Sequence, residues 1–199
     1  MSRVVVINQL TLDGVMQGPG RPDEDRRDGF EHGGWAQPYG DAVLAEFMGE
    51  RMMKGGALLL GRRTYEDFAG FWPNQRDNPF TAVLNERRKY VASRTLEEPL
   101  PWANSTLLEG DAADAVARLK EESGEDLAVL GSGVLVQSLM RRGLVDEYVL
   151  VINPLVLGSG RRLFADGGPP ASLRLVDSTV STTGVLIATY QPRRAERDA

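Results

Sequence analysis

The amino-acid sequence predicts one α/β domain with a mostly parallel central sheet, helices on both faces and an antiparallel C-terminal edge. Through the first three quarters of the chain, apolar β-branched runs alternate with amphipathic stretches, the order that gives a parallel sheet covered by helices. From Val145 onward only strand-like segments remain, which favours an antiparallel edge. The chain has 199 residues, 42% hydrophobic and 26% charged, which suits a single globular domain.

The elements are expected in the following order. The β-branched run RVVVI predicts a first strand over 3–12, and a long loop rich in glycine and proline follows over 17–40. Apolar spacing, Pro79 in a first turn and Gly124 as a stop predict the helices. These helices are expected over 41–54, 63–71, 78–89, 111–124 and 134–143. Further strands are expected at 57–60, 89–93, 105–110, 126–133, 146–158, 172–182 and 184–192. The domain should therefore span 1–192, followed by a frayed charged tail over 193–199.

Composition and charge exclude several classes of protein. The net charge of −5 gives no general attraction to nucleic acid. The chain has no cysteine and one histidine, so we expect no metal site built on thiolates or on several histidines. The apolar run at the start is short and is interrupted by Asn8 and Gln9, which fits neither a signal peptide nor a membrane helix. We therefore expect a cytoplasmic protein that binds neither membrane nor nucleic acid.

Three strand ends carry similar polar chemistry. The stretches are LLLGRRTYE, YVASRTLEE and VLGSGVLVQS. Because the carboxyl ends of parallel strands meet at one edge of a sheet, these stretches could converge on a single extended ligand. They supply guanidinium groups and hydroxyl groups, from Arg62, Arg63, Arg94, Thr64, Ser93, Thr95 and Ser132. Several arginines beside glycine-containing strand ends indicate a ligand with more than one phosphate.

Two common nucleotide motifs do not fit. A Rossmann fingerprint needs a third glycine after Gly131 and Gly133, where this chain has Val136, and it belongs after the first strand. A P-loop needs the pattern G-x-x-x-x-G-K-[ST], which the chain lacks. The phosphate ligand is therefore expected in another type of α/β fold.

Four segments in sequence order resemble a known family. They are LGRRTYE, YVASRTL, VLGSGVLVQSLM and VDEYVLVINPLVLGSGRRLF. Together they resemble the dihydrofolate reductase fold, and most closely the branch formed by the reductase domain of bacterial riboflavin-biosynthesis deaminase-reductases. The resemblance extends from near residue 11 to near residue 192.

The resemblance implies NADPH as cofactor. Gly61, Arg62, Arg63 and Thr64 would hold the pyrophosphate and the adenosine side. Ser93, Arg94 and Thr95 would flank the adenosine and its extra phosphate. Gly131, Ser132, Gly133, Val134 and Leu135 would let the backbone approach the pyrophosphate and the nicotinamide ribose. The paired arginines favour NADPH over NADH.

Candidates for the catalytic and substrate sites come from the same resemblance. Dihydrofolate reductases carry a carboxylate where the helix after the first loop begins, and Asp41 is the matching acid, although it could be only a helix N-cap. Asp13 would lie beside cofactor and substrate, unless Asp13-Gly14 is only a tight turn. Apart from the resemblance, hydride transfer requires that water be kept out, and Phe30, Trp35 and Trp72 could supply an apolar lid or wall for the substrate. Leu130 stands where riboflavin-pathway reductases usually carry a glutamate that meets the substrate.

The expected function is hydride transfer from NADPH to a small heterocycle, either a pterin or a pyrimidine precursor of riboflavin. The enzyme would then be of the phosphoribosylamino-uracil reductase or the dihydrofolate reductase type. Two alternatives stay open: a nucleotide-binding protein of the same fold without turnover, and a flavin-using reductase. In the resembled branch the β-rich C-terminal region pairs two subunits, so a homodimer is implied.

Overall fold

The protein is built on an eight-stranded sheet, seen in a computed structural model that describes residues 2–193. The strands are β1 Val4–Thr11, β2 Ala57–Gly61, β3 Lys89–Ala92, β4 Ser105–Leu107, β5 Leu127–Leu130, β6 Glu147–Asn153, β7 Leu173–Val180 and β8 Leu186–Pro192. The helices are α1 Ala42–Met53, α2 Arg62–Phe71, α3 Phe80–Glu86, α4 Ala112–Glu122 and α5 Gly133–Arg141. The tail predicted over 193–199 lies, apart from Arg193, outside the described residues.

The strand order is β4-β3-β2-β5-β1-β6-β8-β7. The first six of these strands are parallel, β8 runs antiparallel to β6, and β7 runs antiparallel to β8. The predicted fold class is therefore confirmed, including the antiparallel C-terminal edge. Strand β6 ends at Asn153, earlier than predicted, because Pro154 has no backbone N–H to donate to a neighbouring strand.

Alternate residues of β2 show how the sheet is covered on both faces. Ala57 and Leu59 join the cluster beneath α4 and α5, whereas Leu58 and Leu60 join the cluster beneath α2 and α3. All four side chains are fully buried, and burial of each leucine contributes about 1.5–3 kcal/mol to folding. Helix α1 covers β1, β6 and β8 on the same face as α2, through Leu44. Strand β5 lies between the parts of the sheet that α1 and α2 cover.

The predicted loop over 17–40 is packed onto itself and contains two short 3-10 helices, Arg27–Gly29 and Gln37–Tyr39. Two of its aromatic side chains, Phe30 and Trp35, are buried against Val15, and the Trp35 indole N–H donates to the Gln17 carbonyl at 2.7 Å. Gly33 packs so closely that a Cβ atom there would lie 2.4 Å from the Pro22 carbonyl oxygen.

Within residues 2–193 no helix has the length and the apolar character needed to cross a bilayer.

Candidate functional site

The candidate site lies at the carboxyl ends of β1, β2, β3 and β5, which we call the rim. Helix α2 leaves β2 toward one face of the sheet, and α5 leaves the neighbouring strand β5 toward the other face. Where adjacent parallel strands feed helices on opposite faces, a crevice opens between the two connections, and open α/β sheets bind ligands there. The rim between β2 and β5 is such a switch point.

Ser132 joins the two turns that flank this crevice. Its hydroxyl accepts a hydrogen bond from the Gly61 N–H at 2.9 Å and donates to the Leu130 carbonyl at 2.9 Å. The Ser132 N–H in turn donates to the Thr64 hydroxyl oxygen at 3.0 Å. The predicted stretches at the ends of β2 and β5 therefore lie together, and the hydrogen bonds of Ser132 connect them.

The helices that begin at the crevice differ from α1 and α4 in how they are capped. Asp41 and Asp111 cap α1 and α4 with their carboxylates, whereas neither α2 nor α5 receives a hydrogen bond from a side chain at its N-cap. The first N–H groups of a helix have no partner inside it and carry the positive end of the helix dipole. Two adjacent uncapped N-termini at a strand rim form a setting suited to an anion.

The glycines of the β5 turn lie close against neighbouring side chains. Gly131 has a φ of +56°, and a Cβ atom there would lie 3.1 Å from the Thr64 hydroxyl oxygen. A Cβ atom on Gly133 would lie 2.7 Å from the Met16 sulfur. Ser132 itself adopts the left-handed conformation at φ 55°. The turn therefore lies close against α2 and against the segment after β1, with Val134 exposed and Leu135 buried at the start of α5.

The three candidate arginines differ in what they contact. Arg62 forms a surface ion pair with Glu66 at 3.2 Å, whereas Arg63 and Arg94 are exposed and form no ion pair within residues 2–193. Ser93 accepts hydrogen bonds from the Thr95 N–H at 3.1 Å and from the Leu96 N–H at 3.0 Å, so it closes the turn after β3. Strand β3 is the parallel neighbour of β2, which puts this turn on the same rim.

Asp13 holds two loops together. Its carboxylate accepts hydrogen bonds from the Thr11 hydroxyl at 2.6 Å, the Gly158 N–H at 2.8 Å and the Leu157 N–H at 3.2 Å. These donors, led by the Thr11 hydroxyl, lower the pKa of Asp13 to about 2. The carboxylate is ionised at neutral pH, so it is poorly suited to donate a proton. Its catalytic role stays a prediction.

Asp41 also has structural partners. One carboxylate oxygen accepts from the Leu44 N–H at 2.8 Å, and the other accepts from the N–H and the hydroxyl of Thr182, both at 2.6 Å. The Thr182 hydroxyl is the leading cause of a lowered pKa at Asp41. Asp41 thus ties the start of α1 to the turn between β7 and β8, and its catalytic role likewise stays a prediction.

The predicted substrate residues lie in packed surroundings. Phe30 and Trp35 are 6% and 7% exposed, respectively, within the folded loop. Leu130 packs in the cluster beneath α2 and α3. In this state the two aromatic rings stabilise the loop and offer little surface to a ligand.

The structure adds residues that sequence reasoning missed. The Asn8 amide donates to the Gly131 carbonyl at 3.2 Å, which ties β1 to the β5 turn. Arg21 of the loop pairs with Asp67 of α2. Asn8 was detectable as a polar residue interrupting an apolar strand, whereas nothing in the sequence pairs Arg21 with Asp67, because 46 positions separate them.

A second depression lies away from the rim. An open groove of about 530 Å³ is lined by Met52, Val83, Arg87 and other residues near the amino ends of β2 and β3. Parallel α/β sheets bind ligands at the carboxyl ends of their strands, and the uncapped helices are at that end. We therefore place the candidate site at the rim and not in this groove.

Two uncharacterized bacterial proteins are similar to this chain in sequence. In Bacillus subtilis strain 168, the uncharacterized protein YyaP is 26% identical over 196 residues, covering 94% of each chain. The uncharacterized protein YwjB of the same strain is 36% identical over 118 residues, covering 59% of this chain and 63% of YwjB.

Two solved structures share the fold. A proposed riboflavin biosynthesis protein from Shewanella sp. PV-4 has a TM-score of 0.69 at 23% identity, covering 96% of this chain and 99% of the other. A pyrimidine reductase-like protein from Corynebacterium diphtheriae has a TM-score of 0.66 at 14% identity, covering 97% and 92%, respectively. The family model of the RibD C-terminal domain matches residues 3–187. Because this match spans nearly the whole chain, the protein belongs to the RibD C-terminal domain family.

Proposed function

We propose that the protein is an NADPH-dependent reductase that acts on a small heterocycle of the pterin or riboflavin-precursor pyrimidine type. The observation that carries the proposal is the pair of uncapped helix N-termini, α2 and α5, joined by Ser132 at the switch point between β2 and β5. Membership of the RibD C-terminal domain family supports it. NADPH supplies the hydride when it is bound.

The residues at the rim fit a dinucleotide phosphate in charge and in available donors. The N–H groups at the starts of α2 and α5 would bind the pyrophosphate. Arg63 and Arg94, exposed and free of ion pairs within residues 2–193, would bind the extra phosphate that distinguishes NADPH from NADH. The Thr64 hydroxyl oxygen accepts a hydrogen bond from the Ser132 backbone N–H, so the Thr64 hydroxyl proton can be donated to a ligand.

A second candidate function, nucleotide binding without turnover, is favoured by the state of the two acids. Asp13 and Asp41 each accept three hydrogen bonds, and the pKa of each is lowered. Neither is placed to release a proton. A reductase of this construction would take the proton from water, whereas a binding protein would need none.

Thermal unfolding with NADPH and with NADH at equal concentration tests the proposal. We expect NADPH to raise the melting temperature more than NADH, because a ligand that binds only the folded state stabilises it. Arg63→Ala and Arg94→Ala should each reduce the NADPH effect. Arg141→Ala is the matched control, an exposed arginine at the other end of α5, about 12 Å from its start at 1.5 Å per residue.

The outcomes separate three cases. A higher melting temperature with NADPH, together with NADPH oxidation when a pterin or pyrimidine is added, supports the reductase. A shift without oxidation across such substrates supports the binding protein. No shift with either nucleotide would refute both.

We also propose that the protein is a homodimer that pairs through β7. This strand forms one edge of the sheet and is exposed along most of its length, with Leu175 and Val180 50% and 65% exposed, respectively. An open edge strand that bears exposed apolar side chains favours pairing with another chain.

A further inference from the structure

The contact between Arg21 and α2 has features of an occupied binding site. The Arg21 guanidinium donates from Nη2 to Oδ1 of Asp67, and its central carbon lies 4.4 Å from the centroid of the Phe71 ring. The other carboxylate oxygen of Asp67, Oδ2, is buried and has no hydrogen-bond partner within residues 2–193. The planar guanidinium of Arg21 thus lies over the Phe71 ring and forms a hydrogen bond with only one of the two Asp67 carboxylate oxygens.

This contact lies beside the rim. At 100° per residue, positions 64, 67 and 71 of α2 fall within about 60° of one another on one side of the helix. Thr64 contacts the Ser132 N–H at the crevice, and Asp67 lies about 4.5 Å farther along the helix axis at 1.5 Å per residue. Asp67 and Phe71 therefore continue the helix face that borders the proposed cofactor site.

From this arrangement we infer that Asp67 and Phe71 recognise the substrate ring, and that Arg21 occupies their site until the substrate displaces it. The inference rests on the proposed function and specifies its substrate class. The expected substrate is a planar heterocycle with an amino group next to a ring N–H. Such an edge presents two parallel donors, as a guanidinium does.

The free oxygen of Asp67 is the reason to expect an exchange. A buried carboxylate oxygen without a donor is unfavourable, and Arg21 leaves Oδ2 in that state. A ring with two adjacent donors can bind both oxygens at once and can stack on Phe71 in place of the guanidinium. A ring that bears a carbonyl where the amino group would be turns an oxygen toward the carboxylate and should be rejected.

The surroundings of Arg21 allow its side chain to leave while the backbone stays in place. The Glu24 carboxylate accepts from the N–H groups of Gly20 and Arg21, and the Gln37 amide donates to the Gly20 carbonyl at 2.7 Å. These contacts fix the backbone around Arg21. The Arg21 side chain is 27% exposed, so it can rotate into solvent.

Pterin and lumazine provide a matched pair of probes. They share one bicyclic ring system and differ at a single position, an amino group in pterin and an oxygen in lumazine. We expect fluorescence titration to show that the protein binds pterin at least tenfold more tightly than lumazine. Arg21→Ala should tighten pterin binding about tenfold by removing the competing group. Asp67→Asn should abolish the preference for pterin.

Arg161→Ala is the control for loop stability, because Arg161 pairs with the exposed Asp28 of the same loop and contacts neither Asp67 nor Phe71. It should leave pterin binding unchanged. Arg21→Gln replaces Arg21→Ala if the alanine variant does not fold. Pterin binding that Arg21 variants weaken or leave unchanged, or equal binding of pterin and lumazine, would overturn the inference.

The NADPH-induced change in melting temperature, measured on the same variants, separates this inference from the proposed function. If that change persists and pterin does not bind preferentially, the inference fails and the proposed function stands. If pterin binds as expected and NADPH has no effect, the recognition site stands and the reductase proposal fails.

Discussion

Replacement of Ser132 by alanine tests the link between the two helix N-termini. The change removes the acceptor of the Gly61 N–H and the donor to the Leu130 carbonyl, both at 2.9 Å. An orphaned donor costs about 1–3 kcal/mol when fully buried. Because Ser132 is only partly buried, we expect a loss of about 1.5 kcal/mol. At about 2–4 °C per kcal/mol for a chain of this size, the melting temperature should fall by about 3–6 °C.

Ser132→Gly separates the hydrogen bonds from the backbone conformation. Both variants lose the hydroxyl, but only glycine adopts the left-handed conformation at φ 55° without a steric cost. Urea unfolding followed by tryptophan fluorescence should therefore rank the stabilities as wild type, then glycine, then alanine. The increase in melting temperature caused by NADPH should be smaller in both variants. Each variant lacks the Ser132 hydroxyl, which connects the N-termini of α2 and α5.

Two results would refute this reasoning. An alanine variant within about 0.5 kcal/mol of the wild type would mean that water replaces the hydroxyl at no cost. A glycine variant less stable than the alanine variant would mean that the left-handed conformation imposes no strain on a side chain at this position.

Further predictions concern acid stability and assembly. The Thr11 hydroxyl and two backbone N–H groups hold the pKa of Asp13 at about 2, below its usual 3.8. The ionised Asp13 carboxylate therefore stabilises the folded state above about pH 4, and this stabilisation is lost as the pH falls from about 4 to about 2. Melting curves should therefore show a smaller loss of stability between about pH 4 and pH 2 for Asp13→Asn than for the wild type, and equal losses would contradict the assignment. Val180→Glu should shift the mass measured by light scattering from dimer to monomer, whereas Arg174→Glu, at a polar position of the same strand, should have less effect. A monomeric wild type would remove the β7 proposal.

The sequence predicted the fold because its local signals agree with its tertiary contacts. Strand β2 is apolar at each of its first four positions, 57–60, as a strand buried on both faces must be. Because β2 pairs with β5 in parallel, the carboxyl ends of these two strands lie side by side. Convergence of the predicted strand ends follows from topology alone. The contacts at that point do not, since the hydrogen bond between Gly61 and Ser132 depends on side-chain packing across 71 positions.

The loop over 17–40 shows where sequence reasoning was insufficient. Glycine and proline predicted irregular structure, but the same residues also fit close packing, as the approach of Gly33 to Pro22 shows. Phe30 and Trp35 were expected to face a substrate, and the structure buries them within the loop. A side chain in irregular structure has no periodicity that predicts its direction.

The link through Ser132 also has a consequence for folding. The two turns that it joins are about 70 residues apart in the chain, and they meet only when β2 and β5 pair. Contacts with such large sequence separation require closure of a long chain segment, so they form late when shorter-range contacts are available. A phosphate ligand held between these turns would bind the completed domain and not a partly formed sheet. Such a ligand would slow unfolding while leaving the rate of folding nearly unchanged.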